Sequence, residues 1–197
     1  WIEVINYICG RCNRIYAVPN GYDKNVFHVI SKSAARKKLN LSLDKKILLN
    51  IGHLEEYKGQ SYLIEGMSEV IKHKKDVNLY IIGNGSLHKA LLNQIRGLNL
   101  ENHVFLIDAG KPIDEIVAWL NASDIFVLPS LNEGNPTVMF EALGVGLPFI
   151  GTRVGGIPDV IISDDYGLLC EPADSDDLAT AILYSLDKKW DRNKIIL

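Results

Sequence analysis

Two glutamates with seven residues between them, Glu133 and Glu141, bracket a helix start in the run Glu-Gly-Asn-Pro-Thr-Val-Met-Phe-Glu. Pro136 suits the first helical position, where the amide it lacks would go unpaired anyway, and this makes Asn135 the expected N-cap. The amides of Thr137 and Val138 are then free to face an anion, helped by the helix dipole. At about 1.5 Å of rise per residue the two carboxylates lie roughly 12 Å apart. That distance suits the two ends of a sugar-diphospho-ribose, with the diphosphate at the helix start between them. Carboxylates hold neighbouring hydroxyls well because each accepts two hydrogen bonds in fixed geometry. The plain alternative is a dipole-compensating Glu133 and a solvated Glu141. Against it, Glu141 stands among Phe140, Ala142 and Leu143 in an otherwise apolar helix, where a lone carboxylate more often has a function.

Three further loops carry unusual residues. In Gly52-His-Leu-Glu-Glu-Tyr-Lys-Gly59, Gly52 allows close approach to the backbone. Lys58 precedes the next helix, where a cation can meet phosphate beside helix-start amides; a solvated lysine is the plain alternative. In Ile82-Gly-Asn-Gly-Ser-Leu-His88, Gly83 and Gly85 follow a strand and Asp108 ends the next one, which resembles a dinucleotide fingerprint. The third glycine of that fingerprint, which permits close helix–strand packing, is replaced by His88. The loop Asp108-Ala-Gly-Lys-Pro-Ile113 could read a nucleotide edge through its backbone, a signal of low specificity.

The elements that must position these loops alternate regularly. Strands are expected at Arg14–Val18, Lys46–Ile51, Val77–Ile82, His103–Ile107, Asp124–Leu128, Pro148–Gly151 and Gly167–Cys170. Helical spacing fills the gaps: Leu63, Ile64, Met67, Val70 and Ile71 share one face of Gln60–Lys74, and Ser86–Leu98 and Pro112–Ala122 behave alike. Near-continuous apolar strands between amphipathic helices predict an α/β fold, a doubly wound, Rossmann-like parallel sheet, with ligands beyond the carboxyl ends of its strands. Residues 24–197 are expected to form this domain. Residues 1–23 read as a remnant and hinge, ending in the turn signal Pro19-Asn-Gly.

Bulk properties exclude several classes. A formal charge of −3 argues against a basic nucleic-acid surface, and Lys72–Lys75 reads as a solvated helix end. No apolar run is long enough to span a membrane. Three cysteines, an odd number, suit a reducing compartment. Cys9 and Cys12 have CxxC spacing but no second pair to complete a zinc set, and Cys170 reads as core.

Taken in order, these blocks resemble the retaining glycosyltransferase family 4 (group 1), specifically the C-terminal donor-binding domain of its GT-B fold. The likeness runs from Val18 to about Leu186 and includes Val-Pro-Asn-Gly-Tyr-Asp, the Gly52–Gly59 loop, Ile-Ile-Gly-Asn-Gly-Ser-Leu, Ser-Asp-Ile-Phe-Val-Leu-Pro-Ser, the E-x7-E pair and Gly-Thr-Arg-Val-Gly-Gly-Ile-Pro-Asp. It ends in the strand Tyr166-Gly-Leu-Leu-Cys-Glu-Pro-Ala-Asp174 and a capped helix. The resemblance implies that Glu133 contacts the donor sugar, Glu141 the ribose hydroxyls and Lys58 the diphosphate. Gly134, Asn135, Pro136 and Thr137 would hold phosphate or sugar, Gly52, Gly83 and Gly85 would admit the ligand, and Lys111 and Pro112 would flank the base. It implies transfer from a nucleoside diphosphate sugar, UDP- or GDP-linked, with retention and with neither metal nor further cofactor.

Two departures stand out. His53 occupies the position after the first glycine where the family usually has Arg, and a neutral imidazole shifts the charge load onto Lys58. The acceptor-binding N-terminal half and the final C-terminal helix are not in the sequence, so the chain is expected to bind donor without transferring it. Acceptor glycan or lipid would be reached through that half. The expected location is cytoplasmic, peripheral on the inner membrane face in the full-length protein. The competing reading is a non-catalytic nucleotide-binding module, NAD-type or a degenerate transferase relative, whose binding would depend on Gly83 and Asp108.

Overall fold

Along β1 (Lys46–Ile51) successive side chains serve opposite layers: Leu48 enters one buried cluster and Leu49 the other, as the period-two geometry of a strand requires. The computed structural model describes residues 20–196. It continues this pattern through β2 (Val77–Ile82), β3 (Val104–Ile107), β4 (Ile125–Leu128), β5 (Phe149–Thr152) and β6 (Gly167–Cys170). All pairings are parallel, in the order β3-β2-β1-β4-β5-β6. The winding therefore reverses between β1 and β4. Every position of β4 and β5 is buried, which explains their continuous apolar sequences. The expected strand at Arg14–Val18 and the pair Cys9 and Cys12 lie outside the described residues.

The Leu48 face is covered by α2 (Gln60–His73), α3 (His88–Gly97) and α7 (Ser175–Asp187). The apolar stripe of α2 buries Leu63, Ile64, Met67 and Val70, and the Asp174 side chain caps α7 by accepting from the amides of Asp176 and Asp177. The Leu49 face is covered by α4 (Ile113–Ala122), α5 (Thr137–Gly144), α6 (Ile157–Val160) and α8 (Arg192–Ile195). Cys170 is buried as expected, and burial pushes its thiol up to about 12.

One helix has no apolar stripe to announce it. α1 (Lys32–Lys38, Lys-Ser-Ala-Ala-Arg-Lys-Lys) buries Ala35 and Arg36. Arg36 is tolerated there because every branch of its guanidinium is satisfied. It donates to the carbonyls of Ala122, Ser42, Leu43 and Lys45 and, at 2.8 Å, to Asp124.

Candidate functional site

β1 and β4 part company at their carboxyl ends. Their register stops at Leu49 opposite Phe126, although β1 runs on to Ile51. The fully buried Asn50 spans the gap, donating from Nδ2 to the Val127 carbonyl at 2.8 Å. Crevices at such reversal points are where open α/β sheets bind ligands. Above the crevice the two outgoing loops are stitched together. The Leu131 amide donates to the Tyr57 carbonyl at 2.7 Å, and Gly59, at φ 66°, comes so close that a Cβ would stand 2.0 Å from the Pro129 carbonyl oxygen. Glycine alone fits that approach.

The stitching brings two of the expected residues into contact. Lys58 Nζ donates to Glu133 Oε1 at 2.7 Å, and Ser130 Oγ donates to the same oxygen at 2.7 Å. The side chains are only 15% and 8% exposed, so this pair is a fixed element and not a solvated surface contact. The buried Ser130 is itself tied down, its carbonyl accepting from the Thr152 hydroxyl. On the far side the Gly-Gly turn after β5 clasps the loop. Gly155 has φ 54°, a Cβ on it would lie 1.9 Å from the Glu133 carbonyl oxygen, and the Gly156 amide donates to the Gly134 carbonyl at 2.7 Å. Sequence reasoning assigned no role to Ser130 or Thr152. Ser130 stands in the Leu-Pro-Ser run, but nothing in its type shows that it faces Glu133.

α5 begins at Thr137, and Pro136 (φ −69°, ψ 120°) is the N-cap instead of Asn135. No side-chain cap is formed at this start by Asn135. Its carbonyl accepts from Asn20 Nδ2 at 2.7 Å, and its Oδ1 is buried without a hydrogen-bond partner among the described residues. The amides of Thr137 and Val138 make no hydrogen bond to any described residue, as the geometry of a helix start dictates. Farther along, Glu141 is half-buried and makes no hydrogen bond or ion pair with any described residue. Burial pushes its carboxyl above the ordinary value of 4.5.

Beside this lies a cleft of about 260 Å³ lined by Gly52, His53, Gly83 and Lys111 over an apolar floor of Ile51, Ile82 and Ile116. A Cβ on Gly52 would stand in ordinary contact with the Lys58 side chain at 3.8 Å and clash with nothing. Gly83 and Gly85 differ. A Cβ there would lie 2.0 Å from the Gly52 carbonyl and 2.4 Å from the Leu54 carbonyl, so their bareness admits the neighbouring loop. Both follow β2, whereas the dinucleotide fingerprint occupies the first strand–helix turn. His53 has an exposed ring, and its carbonyl accepts from Gln60 Nε2 at 2.9 Å. Lys111 Nζ lies 3.2 Å from Glu115 Oε1, and Pro112 is the exposed N-cap of α4. Among the described residues no three His, Cys, Asp or Glu side chains converge on a metal site, and no helix is long and apolar enough to cross a membrane.

Comparison with known proteins agrees with this geometry. The chain is 31% identical over 180 residues to N-acetyl-alpha-D-glucosaminyl L-malate synthase of Bacillus anthracis, covering 91% of this chain and 46% of that protein. The fold matches sucrose-phosphate synthase from Thermosynechococcus elongatus at a TM-score of 0.82 and 24% identity, over 99% of this chain and 48% of that one. It also matches Anabaena HepE in complex with UDP at 0.77 and 22%, over 98% and 58%. The sheet and helices are those of the C-terminal domain of GT-B glycosyltransferases. The chain spans about half the length of the curated relatives it matches. The pattern of the family described as Glycosyl transferases group 1 matches residues 31–196, and the chain belongs to that family.

Proposed function

We propose that this chain is the donor-binding domain of a retaining glycosyltransferase that moves a sugar from a UDP- or GDP-sugar to an acceptor glycan or lipid. The observation that carries this reading is the Lys58–Glu133 contact at the sheet's reversal point, beside the α5 start whose first amides bond no described residue. Glu133 accepts from the donor sugar's hydroxyls, and Glu141, half-buried without a partner, accepts from the ribose hydroxyls. The base lies in the cleft between Gly52, Gly83 and Lys111, with Pro112 at its margin. When the bond from the anomeric carbon to the diphosphate oxygen breaks, the electron pair leaves on the diphosphate. Lys58 and the amides of Gly134, Asn135 and Thr137, with Pro136 shaping the turn, stabilise that charge because they are oriented before it develops. The step needs no metal ion or further cofactor. Acceptor binding requires the N-terminal half of a GT-B enzyme, so this chain by itself binds donor without transferring sugar. The reaction is cytoplasmic, with the whole protein peripheral on the inner membrane face where the acceptor is a lipid. HepE, of the same fold, is known in complex with UDP and with UDP-glucose, which supports a nucleotide-sugar ligand here.

Thermal unfolding in UDP, GDP, ADP and NAD, with Glu141→Ala alongside, tests the reading. A ligand at about 100 times its dissociation constant adds roughly 2.7 kcal/mol, a rise of about 5–10 °C for a domain of this size. A shift with one nucleoside diphosphate, lost in the variant, is expected and names the base. A shift with NAD alone overturns it.

A further inference from the structure

The opposite, amino-terminal edge of the sheet holds a second cavity, of about 140 Å³, walled by Lys32, Lys46, Ser185, Lys188, Trp190 and Arg192. Asp124 is the acid on its wall and is already saturated by Lys32 at 2.8 Å, Arg36 at 2.8 Å and the Ile47 amide at 2.7 Å. Lys188 reaches out to the exposed Asp164 at 3.1 Å, while Lys46 and Arg192 have no carboxylate within ion-pair distance among the described residues. The cavity is therefore rich in positive charge.

Two of its polar groups are buried without a partner among the described residues: Ser185 Oγ, on a residue 1% exposed, and Arg192 Nη2. The Arg192 side chain and the Ser185 backbone are held in place. Arg192 Nε donates to the Gly146 carbonyl at 3.0 Å, and Trp190 Nε1 donates to the Ser185 carbonyl at 2.9 Å. Burial pulls the guanidinium below its ordinary value, with Asp124 opposing. Buried donors left without acceptors are rare because desolvation goes uncompensated.

We propose that this cavity binds a phosphate group, with Arg192 Nη2 and Ser185 Oγ donating to its oxygens and Lys32 and Lys46 supplying charge. The guanidinium fork suits a tetrahedral oxyanion. The six residues of β1, at about 3.3 Å each, set the cavity roughly 20 Å from the donor crevice, so it is a separate site. The phosphate is either free or the headgroup of an anionic lipid.

The test is thermal unfolding of the chain in millimolar inorganic phosphate against chloride at equal ionic strength, with co-sedimentation on phosphatidic acid and phosphatidylcholine vesicles. A rise of about 3–5 °C is expected with phosphate, abolished in Arg192→Gln and cut by at least half in Ser185→Ala. Because Ser185→Ala removes an unpartnered hydroxyl, its ligand-free midpoint should not fall, which separates binding from folding. Retention on phosphatidic acid alone, lost in Arg192→Gln, assigns the headgroup; a phosphate shift without retention assigns the free anion. The proposal is overturned if neither probe binds, if the shift survives both substitutions, or if it disappears in Lys58→Ala, which would move the anion to the donor crevice.

Discussion

Lys58 and Glu133 stand 75 positions apart in the chain and 2.7 Å apart in space, joined at the crevice by an ion pair little exposed to water. On the proposed reading, an arriving diphosphate would meet a cation whose direction is already set, and a donor sugar a carboxylate braced on one oxygen by Lys58 and Ser130. The same burial makes the pair unequal to its parts. Lys58→Met strands a nearly buried carboxylate and should cost about 3 kcal/mol, whereas adding Glu133→Gln should restore most of it. Urea unfolding of the two single variants and the double variant checks this. A pair that behaves additively would mean that the contact is solvated.

Ser130 touches the proposed donor site only through Glu133, to which its hydroxyl donates. Ser130→Ala should lower stability by about 1 kcal/mol and leave UDP or GDP affinity unchanged. It should weaken the matching nucleotide sugar several-fold, because only the sugar-facing carboxylate loses its brace. Calorimetric titration of nucleotide and nucleotide sugar side by side measures the difference. Equal losses for both would place the effect elsewhere in the loop.

Glu141 should show function and stability in opposition. Its folded-state carboxyl lies above the ordinary value because of burial, so the folded state holds the proton more tightly than the unfolded one. Stability then falls as pH rises from about 4.5 through the folded value. Glu141→Gln should remove that slope and make the chain more stable at neutral pH. It should weaken nucleotide binding by about 10- to 100-fold, the loss expected of charge-assisted hydrogen bonds. Melting curves from pH 4 to 8 with and without nucleotide decide it; a variant less stable at neutral pH would contradict the sign.

Two glycines of the same clasp should respond differently. Gly155→Ala forces a left-handed backbone and a clash with the Glu133 carbonyl, and should cost more than about 2 kcal/mol. At Gly134 a Cβ would meet nothing within 4 Å, so Gly134→Ala should stay within about 0.5 kcal/mol. Chemical denaturation of both variants provides the comparison.

Much of this architecture is legible in the amino-acid order, for a physical reason. Strands Lys46–Ile51, Val77–Ile82 and Gly167–Cys170 appear where expected, because strands buried on both faces leave unbroken apolar runs that polar turns delimit. α1 was not legible, since its burial rests on Ala35 and on an arginine whose partners lie as far as 88 positions away. The helix start at Thr137 lies one residue beyond the expected one, and the Asn135 carbonyl beside it accepts from Asn20, 115 positions distant, a contact no local pattern announces. The motif residues of the candidate site could be named from sequence, but the contact of Lys58 with Glu133, and the support from Ser130, arise from loops on different strands. Gly83 and Gly85 carry the same lesson: a bare position signals close approach without saying what approaches, and here it is the loop after β1.

The interlock of Gly59 with Pro129 and of Tyr57 with Leu131 also has an evolutionary side. Segments 52–59 and 129–134 are not independent cassettes. A chimera that imports one from a relative with a different nucleotide-sugar preference inherits a seam cut for the wrong partner. Recombination, natural or in the laboratory, should therefore succeed when both segments travel together, and their joint ancestry should be more uniform than that of the helices around them.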